Sequence, residues 1–425
     1  MKIYPLQQQE LTENMTSSTK VIALLLILFS LIFPQNEPLR YYADQIGLNI
    51  GVAIKEDYIL NNNQTHNNLV KREFNTIVCE NSMKAENVAP SRNGYNFSVP
   101  DRVVEFGLDN NMQVRGHTLV WFSQNPQWLS QGTRETLLAA MKYHIETVMN
   151  HYKGKIFQWD VVNEPFDNDG GEYRDSPWYD IIGEDYIDSA FTYAHRVDPD
   201  CKLFLNDYNN SYITHKSTVM YDKVKKMVEN GIPIDGVGFQ CHERSEKKAP
   251  DLYDKVRSNF ERFADLGLEI AITEIDIRQW DSTLAVQGAV YGTFMQVALD
   301  MPAVTTYMIW GVRDQDSWTG ADQNALLFDN DFDPKPAYDT LKTLLFKKQQ
   351  ATDVRIPYAI FNAGKKYSNH PLNGNGFGRV ELFDLRGVRI NRSDYVRKNY
   401  TMSLADNILI YRNGKEISRI ISCWK

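Results

Sequence analysis

The central part of the chain predicts an α/β fold, a (β/α)8 TIM barrel. An N-terminal signal segment precedes it and a small C-terminal β-rich module follows. Three observations carry this. From about Leu39 to Leu345, short apolar runs alternate with longer amphipathic stretches. The alternation yields eight strand–helix units, which calls for parallel strands joined by crossover helices. No glycine-rich turn follows the first strand to cradle a phosphate, which disfavours the runner-up, a doubly wound open sheet.

At 425 residues the chain fits one large domain with additions. An apolar fraction of 43% is ample for a core, and 12% aromatics suits a protein that stacks on flat ligands. A net charge of −8 argues against general nucleic-acid binding. The four cysteines, Cys79, Cys201, Cys241 and Cys423, are widely spaced. They form neither a metal-ligand pattern nor a dense disulfide framework, so no metal and no cofactor is expected.

Residues 1–35 read as a signal peptide or N-terminal anchor. Lys20 precedes an apolar run over 21–33. The run is short for a membrane span and right for the core of a signal peptide. The polar stretch before it is long, and Met15 offers an alternative start. Either way the rest of the chain is expected to be secreted or held at the cell surface, through partnership with secretion machinery.

The barrel is expected over residues 39–346. Its strands are read at 47–53, 76–79, 113–116, 156–162, 202–206, 236–239, 269–275 and 305–310. Helices lie between them. Over 133–150, Leu137, Met141, Ile145 and Val148 recur at helical spacing. Over 217–230, Met220, Val224, Met227 and Val228 form one face, and Gly231 stands at the C-terminal cap. Over 251–266, Leu252, Val256, Phe260 and Phe263 repeat the pattern before Gly267.

Barrel chemistry resides at the C-terminal ends of strands. In chain order these ends carry Glu80, Asn81 and Lys84; His117 and Trp121; Asn163 and Glu164; Asn206, Asp207 and Tyr208; Gln240 and His242; Glu274 and Asp276; and Trp310, with Trp318 beyond. Any one of these has an ordinary structural reading, such as a cap or an ion pair. Their concentration at one end argues for a site.

Two carboxylates stand out. Glu164 follows the β-branched run Val161-Val162 and precedes Pro165, which has no N–H for a sheet ladder, so the strand must stop there. Glu274 ends the apolar run Ile270-Ala271-Ile272-Thr273, a costly place for a carboxylate without hydrogen bonds or a function. Paired glutamates beside a tryptophan-lined cleft are what glycoside hydrolysis needs.

These strand ends resemble, block by block and in order, those of glycoside hydrolase family 10, the endo-β-1,4-xylanases. The blocks are Phe74-Asn75-Thr76 to Lys84, Arg115-Gly116-His117-Thr118-Leu119-Val120-Trp121, Trp159 to Glu164, Asn206-Asp207-Tyr208-Asn209, Thr273-Glu274-Ile275-Asp276-Ile277 and Trp310-Gly311-Val312-Arg313-Asp314. The resemblance implies a retaining double displacement with Glu164 as acid/base and Glu274 as nucleophile. It implies that Asn163 bonds the sugar 2-hydroxyl, with Gln240 near the same sugar. His242, held by Asp276, would orient Glu274. Glu80, Asn81, Lys84, His117, Trp121, Trp310 and Trp318 would line the glycone side, and Tyr208 the aglycone side. The implied partners are xylan and xylo-oligosaccharides, and the protein is expected to be a monomer. Two positions depart from the family pattern. Ala85 stands where many relatives place Trp, and Phe122 where His is usual, which removes a polar neighbour near Glu164. Cys241 is expected to be a buried free thiol.

Residues 351–425 read as a separate β module. Residues 347–425 hold 15 Lys+Arg against 6 Asp+Glu, although the whole chain is acidic. An Asn413-Gly414 turn between alternating runs marks a hairpin. Leu382-Phe383-Asp384-Leu385-Arg386-Gly387 and this hairpin resemble a type IX secretion sorting domain; a carbohydrate-binding module or a structural appendage are the other readings. For the barrel, the other readings are a non-catalytic carbohydrate-binding barrel and a β-1,4-glucanase.

Overall fold

The chain enters its fold through the helix Leu39–Ile46, which Gly47 ends in the left-handed region (φ 71°). The first strand therefore starts at Asn49, two residues later than the apolar pattern indicates. In the computed structural model, the described residues are 37–353, except 169, 171 and 247–250, with four short strands beyond. The signal segment, the alternative start at Met15 and most of the C-terminal module lie outside the described residues. Among those described, no helix is long and apolar enough to cross a membrane.

Nine strands form one sheet: β1 (Asn49–Ile54), β2 (Thr76–Cys79), β3 (Gln113–Trp121), β4 (Gln158–Asn163), β5 (Lys202–Asp207), β6 (Gly236–Phe239), β7 (His242–Arg244), β8 (Glu269–Arg278) and β9 (Val304–Ile309). All pairings are parallel. The ring closes because β6 pairs with β8, while β9 pairs with both β8 and β1. The short β7 is an addition that the sequence pattern does not reveal. It hangs on the outer end of β8, with His242 beside Asp276 and Arg244 beside Arg278.

Two strands run further than expected. β3 continues to Trp121 and β8 to Arg278. The residues added to β3 (His117-Thr118-Leu119-Val120-Trp121) and to β8 (Asp276-Ile277-Arg278) mix polar and apolar side chains, and those of β3 stay paired with β4 through Val120 and Trp121. The helices match their expected faces. Arg134–Tyr152 buries Leu137, Met141, Ile145 and Val148. His215–Glu229 buries Met220 and Val224, while Val228 is partly buried. Leu252–Ala264 buries Val256, Phe260 and Phe263. Gly231 and Gly267 follow with φ of 69° and 85°, the conformation that glycine adopts without steric cost.

The barrel interior holds a charged layer. Arg115 on β3 is 1% exposed and donates to both oxygens of Asp160 on β4 and to Gln158. Its guanidinium also lies over the Phe204 ring, 4.8 Å from the centroid. A buried charge is tolerable only when paired and hydrogen-bonded in this way. The second unit, residues 350–425, contains two antiparallel pairs: Leu382–Phe383 with Arg389–Ile390, and Ile408–Asn413 with Glu416–Ser422.

Candidate active site

Three successive strand ends turn through the left-handed region on residues other than glycine: Glu164 (φ 55°) after β4, Asn209 (φ 54°) after β5 and Cys241 (φ 57°) after β6. Such a conformation costs of order 1–3 kcal/mol at each residue and persists where the surroundings fix it. At Glu164 the backbone N–H donates to Asn206 O at 2.8 Å, and Arg174 Nε donates to its carbonyl at 3.0 Å. The side chain is thereby set at the mouth of the barrel.

Glu164 and Glu274 are joined by a relay of amides. Asn206 Nδ2 donates to Glu274 Oε1 at 2.7 Å and to Asn163 Oδ1 at 2.9 Å. Asn163 Nδ2 and Gln240 Nε2 both donate to Glu164 Oε1, at 3.3 and 3.0 Å. Gln240 Nε2 also reaches Asn163 Oδ1 at 3.2 Å. Thr273 Oγ1 donates to Asn206 Oδ1 at 2.7 Å and fixes the orientation of that amide. Four residues, from three strands and one strand end, thus hold both carboxylates in one network.

The second oxygen of Glu274 faces His242, whose Nε2 lies 3.4 Å from Oε2. Asp276 Oδ2 accepts from His242 Nδ1 at 2.8 Å and from Trp318 Nε1 at 2.7 Å. Burial alone would lower the imidazole, but the flanking Asp276 and Glu274 outweigh it and raise His242 to about 10. Both ring nitrogens then carry protons: Nδ1 donates to Asp276, and Nε2 faces Glu274 as an ion pair.

The sequence-predicted residues gather around this centre at different depths. Lys84 is 8% exposed, donates to Asn81 Oδ1 at 3.0 Å and lies over the Trp121 ring. Burial lowers its ammonium, opposed by Glu274, Glu80 and Glu164. Burial raises Glu80, with Glu56 adding to the effect. His117 is 3% exposed; its Nδ1 pairs with Asp160 Oδ2 at 3.0 Å and lies 4.0 Å from Glu274 Oε1. Its ring meets Trp310 edge-on, and Trp310 itself is buried against Ala53, Val78 and Met308. Trp318, by contrast, is 58% exposed. Cys79, Cys201 and Cys241 are free and buried.

Some neighbours of the site escaped the sequence reading. Arg174 lies in the loop after β4, where no periodicity marks it. Its guanidinium is 4.3 Å from the centroid of Phe122, the residue standing where histidine is usual, and Nη2 donates to Tyr208 Oη at 2.8 Å. Lys216 covers the Tyr208 ring at 3.9 Å and pairs with buried Asp207 at 2.7 Å. Arg115 and Asp160, by comparison, are charges inside apolar strand runs, and that signal alone could have paired them.

The model of the family "Glycosyl hydrolase family 10" matches residues 38–344. The chain is 39% identical over 341 residues to endo-1,4-beta-xylanase B of Thermotoga neapolitana, covering 77% of this chain and 97% of that protein. It is 38% identical over 308 residues to exoglucanase XynX of Acetivibrio thermocellus, but there it spans only 28% of the relative's length and 68% of its own. Among solved structures, xylanase 10B from Thermotoga petrophila RKU-1, in complex with xylobiose, is 40% identical with a TM-score of 0.71, covering 75% of this chain and 99% of that one. The match extends over nearly the whole barrel, and on that extent the chain belongs to glycosyl hydrolase family 10.

Proposed function

We propose that this chain is a retaining endo-β-1,4-xylanase that hydrolyses internal β-1,4-xylosidic bonds of xylan. The observation that carries this is the amide relay through Asn163, Gln240 and Asn206, which ties Glu164 and Glu274 into one network. A pair of carboxyl groups so held can divide the two tasks of glycoside cleavage.

In this reading both amides on Glu164 address Oε1, and Oε2 carries the proton. Glu164 gives it to the glycosidic oxygen while Glu274 attacks the anomeric carbon. The bond to the leaving sugar breaks and a glycosyl-enzyme ester forms. Glu164, now ionised, takes a proton from water, which attacks the same carbon and releases Glu274. Asn163 holds its bond to Glu164 at a long 3.3 Å and can pass it to the 2-hydroxyl. His242 and Asn206 each anchor one oxygen of Glu274, which orients the nucleophile.

Glu80, Asn81, Lys84, His117, Trp121, Trp310 and Trp318 serve the glycone side, and Tyr208 the aglycone side. The apolar run at 21–33 supports export of the protein, and sequencing of the mature N-terminus tests that. Glu164→Ala and Glu274→Ala should each abolish release of reducing sugar from xylan. Full activity in either variant would sink the proposal. Equal rates on cellulose and xylan would favour a β-1,4-glucanase instead.

A further inference from the structure

The two glutamates stand at the end of β4 and on β8 and divide the barrel rim into two arcs. One arc, β9-β1-β2-β3, carries Trp310, Glu80, Asn81, Lys84, His117 and Trp121. The other arc, β5-β6-β7, carries Tyr208 and, further out, a feature with no assigned role. Trp280, two residues past the end of β8, is 47% exposed. The Arg244 guanidinium, at the end of β7, lies over its ring, 4.7 Å from the centroid. The cation covers one face of the indole, so a ligand stacking on this half-exposed ring would meet the other.

The segment that presents Trp280 is tied down. Ser245 N donates to Arg278 O at 2.9 Å, and Ser245 Oγ pairs with Ser282 Oγ at 2.6 Å. Gln279 N donates to Gln323 O at 2.8 Å, Gln279 Nε2 to Ser282 O at 2.7 Å, and Asn324 Nδ2 to Gln279 Oε1 at 2.9 Å. Asp281 turns the chain in the left-handed region, φ 43°. An exposed tryptophan held this firmly loses little freedom when a ligand stacks on it. It also follows the strand that carries the nucleophile: β8 runs from Glu274 through Asp276 to Arg278, two residues before Trp280. Trp280 is four residues from Asp276, at most roughly 13 Å of chain. That is a reach of a few sugar rings.

We propose that Trp280, backed by Arg244, is a stacking platform for a β-1,4-linked xylose ring on the leaving-group side of the cleft, beyond the sugar beside Tyr208. The C–H face of an unsubstituted pyranose matches the free indole face. The inference rests on the xylanase reading above. The platform extends the cleft along the substrate and leaves the chemistry at the cleavage point unchanged.

The test uses the full chain and xylo-oligosaccharides carrying an 18O label at the reducing end. For Trp280→Ala, kcat/KM on xylohexaose should fall roughly tenfold, as when an aromatic anchor is truncated at a binding surface, while xylotriose is cleaved as before. The cleavage points in xylohexaose should move toward the reducing end, and Trp280→Phe should restore most of the wild-type pattern. Equal loss on both substrates, no change on either, or a shift toward the non-reducing end would overturn the platform. Failure of the unaltered protein to cleave any xylo-oligosaccharide would instead overturn the parent reading.

Discussion

Nε2 of His242 lies 3.4 Å from Oε2 of Glu274, and the opposite ring nitrogen is held by Asp276 at 2.8 Å. The imidazole is therefore a cation clamped between two carboxylates, raised from 6.5 to about 10. A histidine raised on folding contributes stability that is complete below about pH 6.5 and is lost as pH climbs through about 10. Activity should fall over the same alkaline window, because Glu274 loses its charged donor. Thermal melts and kcat/KM profiles between pH 6 and 11 check both. Replacing His242 with Ala should flatten the alkaline loss of stability and cost about 3–5 kcal/mol at neutral pH, since Asp276 is left buried without its cation.

Gly238 on β6 packs against the relay. A Cβ there would overlap Asn206 Oδ1 and the Thr273 methyl. Gly238→Ala must move Asn206, which holds Asn163 and Glu274 together. We expect a loss of about 1–3 kcal/mol in urea denaturation, as for an overpacked core. The accompanying drop in kcat should be disproportionate, roughly a hundredfold, as small misplacements of reacting groups produce. A variant with unchanged kcat would mean that the relay does not position the carboxylates.

Arg174 makes two directed hydrogen bonds, to Glu164 O and Tyr208 Oη, while stacking on Phe122. Only a planar fork can do all three, so Arg174→Lys should resemble Arg174→Ala and not the parent. Both should lower kcat/KM on xylan by roughly tenfold through misplacement of Glu164 and Tyr208. Steady-state kinetics of the two variants side by side decides this.

Arg115 inside the barrel offers a test of stability without direct contact to substrate. Arg115→Leu strands Asp160, which is 1% exposed and, among the described residues, then keeps the His117 ring as its side-chain partner but loses its guanidinium. The expected loss is about 3–5 kcal/mol in urea denaturation. Arg115→Lys should recover only part of it, because one ammonium cannot match the paired N–H donors.

The alternation of apolar runs made the barrel legible, since eight strands buried on both faces leave little room for another closure. The positions of the two paired carboxylates were legible for a related reason. Glu274 ends a run of buried apolar residues, and Pro165 marks where the strand of Glu164 stops. What escaped is what has no periodicity. β7 is only three residues long and is held by its pairing with β8. Arg174 and Trp280 sit in loops, and only the folded chain reveals that one meets Phe122 and the other Arg244. The extended ends of β3 and β8 were missed because a strand that reaches a polar cleft exchanges its apolar pattern for the residues of the site.

The proposed division of labour has Glu274 attacking carbon and Glu164 handling the proton. It is tested most directly by proton NMR of the first-formed reducing end when the full chain cleaves xylan, recorded before mutarotation. Double displacement predicts the β-anomer. A first-formed α-anomer would show a single inversion and contradict the assignment of Glu274 as nucleophile.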